Sequence, residues 1–138
     1  MRLFLLLTCL ATPLSAWEFR SDPICTLARN GVVVTFDPDL PEYRIAITLP
    51  SGVWPEAPIF GIAFDGVRSF VIQTDRHMLS TDGTTLTVVD RGFGNVLDGL
   101  EFGTRAVAFA GEASVNIPLD DIGPAIRAFR DCPSDALS

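Results

Sequence analysis

The stretch VVVTFDPDLPEYRIAITL, residues 32–49, decides the fold. Its first half puts Val32, Val34 and Phe36 on one side of an extended chain. Its second half puts Tyr43, Ile45, Ile47 and Leu49 on one side and Arg44, Ala46 and Thr48 on the other. A period of two marks strands with one buried face. The FDPDLPEY segment between them is rich in proline and aspartate, the chemistry of a turn. The pair therefore reads as two adjoining strands over a shared core.

The same alternation extends in both directions. FGIAF (60–64) brings Phe60, Ile62 and Phe64 together, and FVIQ (70–73), TLTVV (85–89), RAVAFA (105–110) and SVNIP (114–118) behave likewise. Asn30-Gly31, between ICTLAR and VVVTF, is the dipeptide preferred by a tight type I′ hairpin. Asp82-Gly83 and Gly111-Glu112 suit two further hairpins. LPSGVWPEAP (49–58) is a proline-rich connection. Two segments change period. NVLDGL predicts a short helix near 95–101 capped by Asn95. DDIGPAIRAFRDCP predicts a helix near 120–131, with Ile122, Ile126 and Phe129 at helical spacing. Asp120 or Asp121 would cap its start, Arg127 and Arg130 would favour its negative end, and Pro133 would stop it. The expectation is an α+β, β-rich domain. About seven or eight short strands would form a single antiparallel twisted sheet, or a partial barrel or sandwich, closed by the C-terminal helix.

The N-terminus reads MRLFLLLTCLATPLSA. Arg2 precedes an apolar run from Leu3 to Leu10, and small residues lead to Ala16. This is the layout of a secretory signal, and the run is too short to span a bilayer. Cleavage after Ala16 would leave residues 17–138 as one globular domain in the periplasm or outside the cell. No later segment is long and apolar enough for a membrane helix. Within 17–138 only Cys25 and Cys132 remain, and a cysteine pair in an oxidising compartment reads as a disulfide. The chain carries ten basic residues, all arginine, against 17 acidic ones, for a net charge of −7. An acidic field repels nucleic-acid phosphates, so nucleic-acid binding is disfavoured. Protein or small-ligand partners stay open.

Residues 90–133, DRGFGNVLDGLEFGTRAVAFAGEASVNIPLDDIGPAIRAFRDCP, resemble uncharacterised short exported proteins of Gram-negative bacteria. The shared pattern is a strand, GFGNVLDGL, a hairpin, Pro-Leu, a helix and a late cysteine paired with an early one. Residues 75–133 fit it best; Cys25 and WPEAPIF from Trp54 agree more loosely. The resemblance implies the same fold and export. Some relatives carry an excinuclease ABC label, which this sequence does not support. A DNA-repair ATPase needs a phosphate loop of the form G-x-x-x-x-G-K-[ST], and this chain has neither that motif nor any lysine.

Candidate chemistry centres on TDRHMLSTDGTTLTVVDRGFGN (74–95), which holds the only histidine. His77 with Asp75 is an acid–base candidate, and Arg91 would hold an anionic substrate, as in a small hydrolase or isomerase. No nucleophile elbow accompanies them: Ser69, Ser80, Thr81 and Thr84 sit in no G-x-S-x-G. A histidine bonded to a turn explains the same residues. Asp37, Asp39 and Glu42 lack the spacing of a calcium loop, so no metal and no cofactor is expected. The DRGFGN glycines read as a sharp turn into the helix, with Phe93 tucked into the core. Trp54, in its proline-flanked loop, is a binding candidate, either an interface anchor or a cover for the sheet edge. Trp17 carries the same ambiguity. The leading expectation is a non-enzymatic module that binds an envelope protein or a small ligand.

Overall fold

The structure is a computed structural model and describes residues 16–135; the expected export signal of residues 1–16 lies outside them except for Ala16. The described residues form ten strands and two helices. The chain enters through β1 (Glu18–Arg20), β2 (Cys25–Arg29), β3 (Val32–Asp37) and β4 (Glu42–Thr48). It continues through β5 (Phe60–Asp65), β6 (Phe70–Thr74), β7 (Met78–Leu79) and β8 (Thr85–Asp90). Helix α1 (Gly94–Phe102), strands β9 (Arg105–Ala110) and β10 (Ala113–Ile117), and helix α2 (Gly123–Asp135) complete it.

The strands divide between two antiparallel sheets, the sandwich among the expected arrangements. The first has the order β1-β2-β3-β4-β8-β7 and the second β10-β9-β5-β6. The alternation in residues 32–49 forms the centre of the first sheet, where Val34 faces Ile45 across β3 and β4. Val34, Ile45, Ile47 and Leu86 point inward against Phe60, Ile62, Phe64, Ala106 and Ala108 of the second sheet, and all join one core. The alanines of β9 let the sheets approach where the phenylalanines of β5 are bulky. The strand beyond the expected alternating runs is β1, where only Phe19 contributes to the core; the two-residue β7 is the first arm of the hairpin expected at Asp82-Gly83.

Hairpins at Asp82-Gly83 and Gly111-Glu112 form as expected, each glycine in the left-handed region. At Asn30-Gly31 only Asn30 adopts a positive φ, so the turn is not type I′. Glycine is needed there for room: a Cβ on Gly31 would meet the Thr48 carbonyl oxygen at 2.5 Å. That close approach accompanies a hydrogen bond from the Thr48 N–H to the Gly31 carbonyl.

Both helices start differently from expectation. In α1 the cap position is Phe93, whose carbonyl accepts the Leu97 N–H, while Asn95 sits inside the first turn and caps nothing. In α2 the Ile122 carbonyl accepts the Ile126 N–H, so Ile122 holds the cap position. Asp120 pairs instead with Arg29 at 3.1 Å. The helix also runs through Pro133 to Asp135. Its inner stripe is the expected one: Ile122, Ile126, Phe129 and Cys132 are buried. Cys132 forms the disulfide with Cys25, with the Cα atoms 6.1 Å apart, and so fastens α2 to β2. Arg130 joins the two helices by donating to Asp98 at 2.9 Å and Glu101 at 3.0 Å. No helix among the described residues is long and apolar enough to cross a membrane.

Candidate functional site

The two sheets meet at one corner. The chain leaves β6 in the second sheet at Thr74 and enters β7 in the first at Met78. Beyond that corner they part. β7 covers only Leu86 and Thr87 of β8, so among the described residues Val88, Val89 and Asp90 have no strand on that side. Among the described residues β6 pairs with β5 alone, leaving its other edge free. The sandwich is therefore open along a seam between β6 and the second half of β8.

A cleft of about 420 Å³ occupies the seam. Ile45, Phe60, Ile62, Ile72, Val88 and Phe93 line it, and Gln73, Thr74, Arg76, Asp90 and Asn95 form its polar rim. Arg76 donates to Asp90 at 3.3 Å across the mouth, and both side chains are exposed. A second cleft, of about 500 Å³, continues along β6 and α1 between Val67, Arg68, Val71, Asp98 and Phe102. Ile72 and Asn95 belong to both, so the two form one groove that follows β6. The first turn of α1 borders it. That helix has no side-chain cap, and additional atoms at Gly92 or Gly94 would meet nothing within 4 Å. Phe93 between them is buried and stacks on Tyr43 at a centroid distance of 5.4 Å.

The residues singled out as acid–base candidates do not converge. His77 lies at the corner between the sheets. Its Nε2 is 2.9 Å from the Ala57 carbonyl oxygen. A carbonyl only accepts, so Nε2 carries the proton and donates. The other ring nitrogen, Nδ1, is buried with no partner among the described residues, so the lone pair that a base needs is shielded from solvent. Asp75 is exposed and makes no hydrogen bond to the imidazole. Arg91 is exposed and borders a polar hollow with Glu42 and Val89 on the far side of Asp90. The hydroxyls nearby are engaged elsewhere. Ser80 Oγ donates to Asp82 at 2.7 Å and Thr84 Oγ1 donates to the same oxygen at 2.8 Å. These bonds, with one from the Thr84 N–H, lower the Asp82 carboxyl from 3.8 to about 2. The cluster is a pinned hairpin turn, with no nucleophile held against a base.

Trp54 is not a surface anchor in this fold. It is 2% exposed, donates its indole N–H to the Ile47 carbonyl at 3.0 Å, and meets Phe60 edge-on. Trp17 is likewise buried, with its indole N–H bonded to the Pro118 carbonyl. Both rings close the sandwich instead of standing out from it. Asp37 accepts the Asp39 N–H within a turn. Among the described residues no three of His, Cys, Asp and Glu gather as metal ligands would.

Comparison with known proteins adds no further constraint: no family model, curated protein or solved structure matches the chain. The groove along β6 escapes a sequence reading. FVIQT has a strand's alternation, but nothing local says that it ends a sheet. The available signal is that it holds no charge and no proline, the usual protections of an edge.

Proposed function

We propose that this protein is a non-enzymatic binding module of the periplasm or the exterior, and that the seam between β6 and β8 is its recognition surface. The observation that supports this reading is the groove itself. Its floor is apolar core, its rim has a few polar groups, and one wall is a free strand edge. Concave apolar surface with sparse polar groups is the common form of a binding site, and each of the two connected clefts falls within the range of about 300–1,000 Å³ typical of ligand sites. The export reading rests on the first sixteen residues, and a disulfide at Cys25–Cys132 is compatible with it.

The catalytic alternative with His77 and Asp75 has less support, because the free nitrogen of His77 faces the interior. The two readings part in a co-purification experiment. The tagged protein is cross-linked in producing cells and recovered from the exported fraction. The binding reading expects one partner near one-to-one, lost on Val71→Lys and retained on His77→Ala. Partner retention in Val71→Lys, with a cellular phenotype that follows His77 alone, would reverse the preference.

A further inference from the structure

We infer that the occupant of the seam is an extended segment of another protein, which adds to β6 as a fifth strand of the second sheet. The inference rests on the seam being the recognition surface and names what fills it. Three observations carry it. First, β6 is an unprotected edge. Its residues Phe70–Thr74 carry no charge, no proline and no bulge, and they pair with β5 without interruption. Two of the other edges are too short to take a strand of this length. β1 has three residues, two of them charged, and β7 has two residues. β10 is also a five-residue edge without charge, but Arg29, the cation of the cleft beside it, is paired with Asp120 at 3.1 Å. Exposed edges without such protection recruit strands.

Second, the groove has the shape of a strand. It runs the length of β6, whose residues alternate between half-buried Phe70, Ile72 and Thr74 and exposed Val71 and Gln73. An added strand would place every second side chain on the apolar floor. Val71 is 55% exposed and Phe102 68% exposed, and Val67 is fully exposed, so apolar surface waits at the α1 end as well.

Third, the charges specify one end of the occupant. Asp98 is held by Arg130, and Asp90 by Arg76. Arg68 has no acidic partner among the described residues, on a protein of net charge −7. The segment that fits is extended and apolar at alternate positions, with an acidic side chain opposite Arg68.

The test uses the full processed chain and a phage library of linear peptides about ten residues long, the length scale of a strand. Selected peptides are synthesised and titrated against three proteins: the unaltered chain, Val71→Lys/Gln73→Lys, and Arg68→Glu. All changed positions are exposed, and thermal melts verify that each variant folds. The expected result is an alternating apolar consensus with an acidic residue at one end. The double lysine variant should bind on the order of tenfold more weakly or worse. Lysine attracts an acidic peptide, so that loss reports the edge and not the charge. Arg68→Glu should weaken the acidic peptides and favour versions with lysine in place of the acid. A library that yields no enriched sequence, or peptides indifferent to all three substitutions, overturns the inference. Octanoate, titrated in parallel, separates that failure from failure of the binding reading. Octanoate bound at the seam without peptide leaves the recognition surface and removes the strand; absence of both, with no partner recovered from cells, removes both.

Discussion

At the scale of single residues, polar side chains in the 74–95 stretch maintain the fold. Asp82 is the clearest case. Its carboxyl is held at about 2, first by the Ser80 hydroxyl and then by the Thr84 N–H and hydroxyl. The folded state therefore binds this proton more weakly than the unfolded chain does. The stabilisation is complete above the unfolded value near 3.8 and is lost as pH falls through about 2. Thermal midpoints of the unaltered chain and Asp82→Ala should differ at pH 6 and converge towards pH 2; a constant difference across that range would contradict this role. His77→Ala removes one hydrogen bond at the sheet corner and should cost about 1 kcal/mol by denaturant titration, with binding at the seam unchanged. Trp54→Ala should cost about 3–5 kcal/mol, because it empties a core site. Any loss of binding in that variant would follow loss of the folded protein. The alternation that places Val34, Ile45 and Phe64 inside is legible in the sequence. The fate of Trp54 and His77 is not, because a side chain beside a loop finds its partner, Ile47 or Ala57, only when the sandwich closes.

At the scale of elements, helix existence and the inner face of α2 follow from spacing. The caps do not. Asn95 and Asp120 are good capping residues by type, but Phe93 and Ile122 occupy the cap positions because burying them outweighs one capping bond of about 1 kcal/mol. Gly99 makes the seating of α1 testable. A Cβ there would meet the Phe64 ring at 2.6 Å, and Phe64 is fully buried. Alanine gains about 1 kcal/mol of helix propensity over glycine. Overpacking against a ring that cannot yield costs about 1–3 kcal/mol. Gly99→Ala should therefore lower stability on balance and loosen α1; a rise in melting temperature would show that the helix sits farther from β5. The disulfide fixes the other helix. It closes a separation of 107 residues, for which chain entropy sets an upper value of about 4.7 kcal/mol. Cys132→Ser should lower the melting temperature and speed hydrogen exchange in α2 before the central strands. Uniform exchange throughout would mean that the helix needs no tether.

At the scale of the whole molecule, the sequence leaves open whether the strands form one sheet, a partial barrel or a sandwich, and where a split would fall. Period-two runs specify strands and their inner faces, and nothing in them says where one sheet stops. That is decided by the crossing at residues 75–77, which carries the chain from one sheet to the other and leaves β6 and the end of β8 unpaired. The seam is a consequence of topology, and so is its chemistry. Core residues such as Ile45, Phe60 and Ile62, themselves buried, form the floor of a cleft between two edges. A chain that keeps such an edge free of charge, proline and bulge has a use for it or is prone to aggregate.

Site-specific photo-crosslinking in producing cells tests the claim that the seam is the recognition surface. A photoreactive side chain replaces Val71 or Phe102 in the groove, or Arg44, which is exposed on β4 of the opposite sheet. The account expects one adduct of a single size from positions 71 and 102 and none from 44. Adducts from 44, or none from either groove position while the protein is folded, would contradict it.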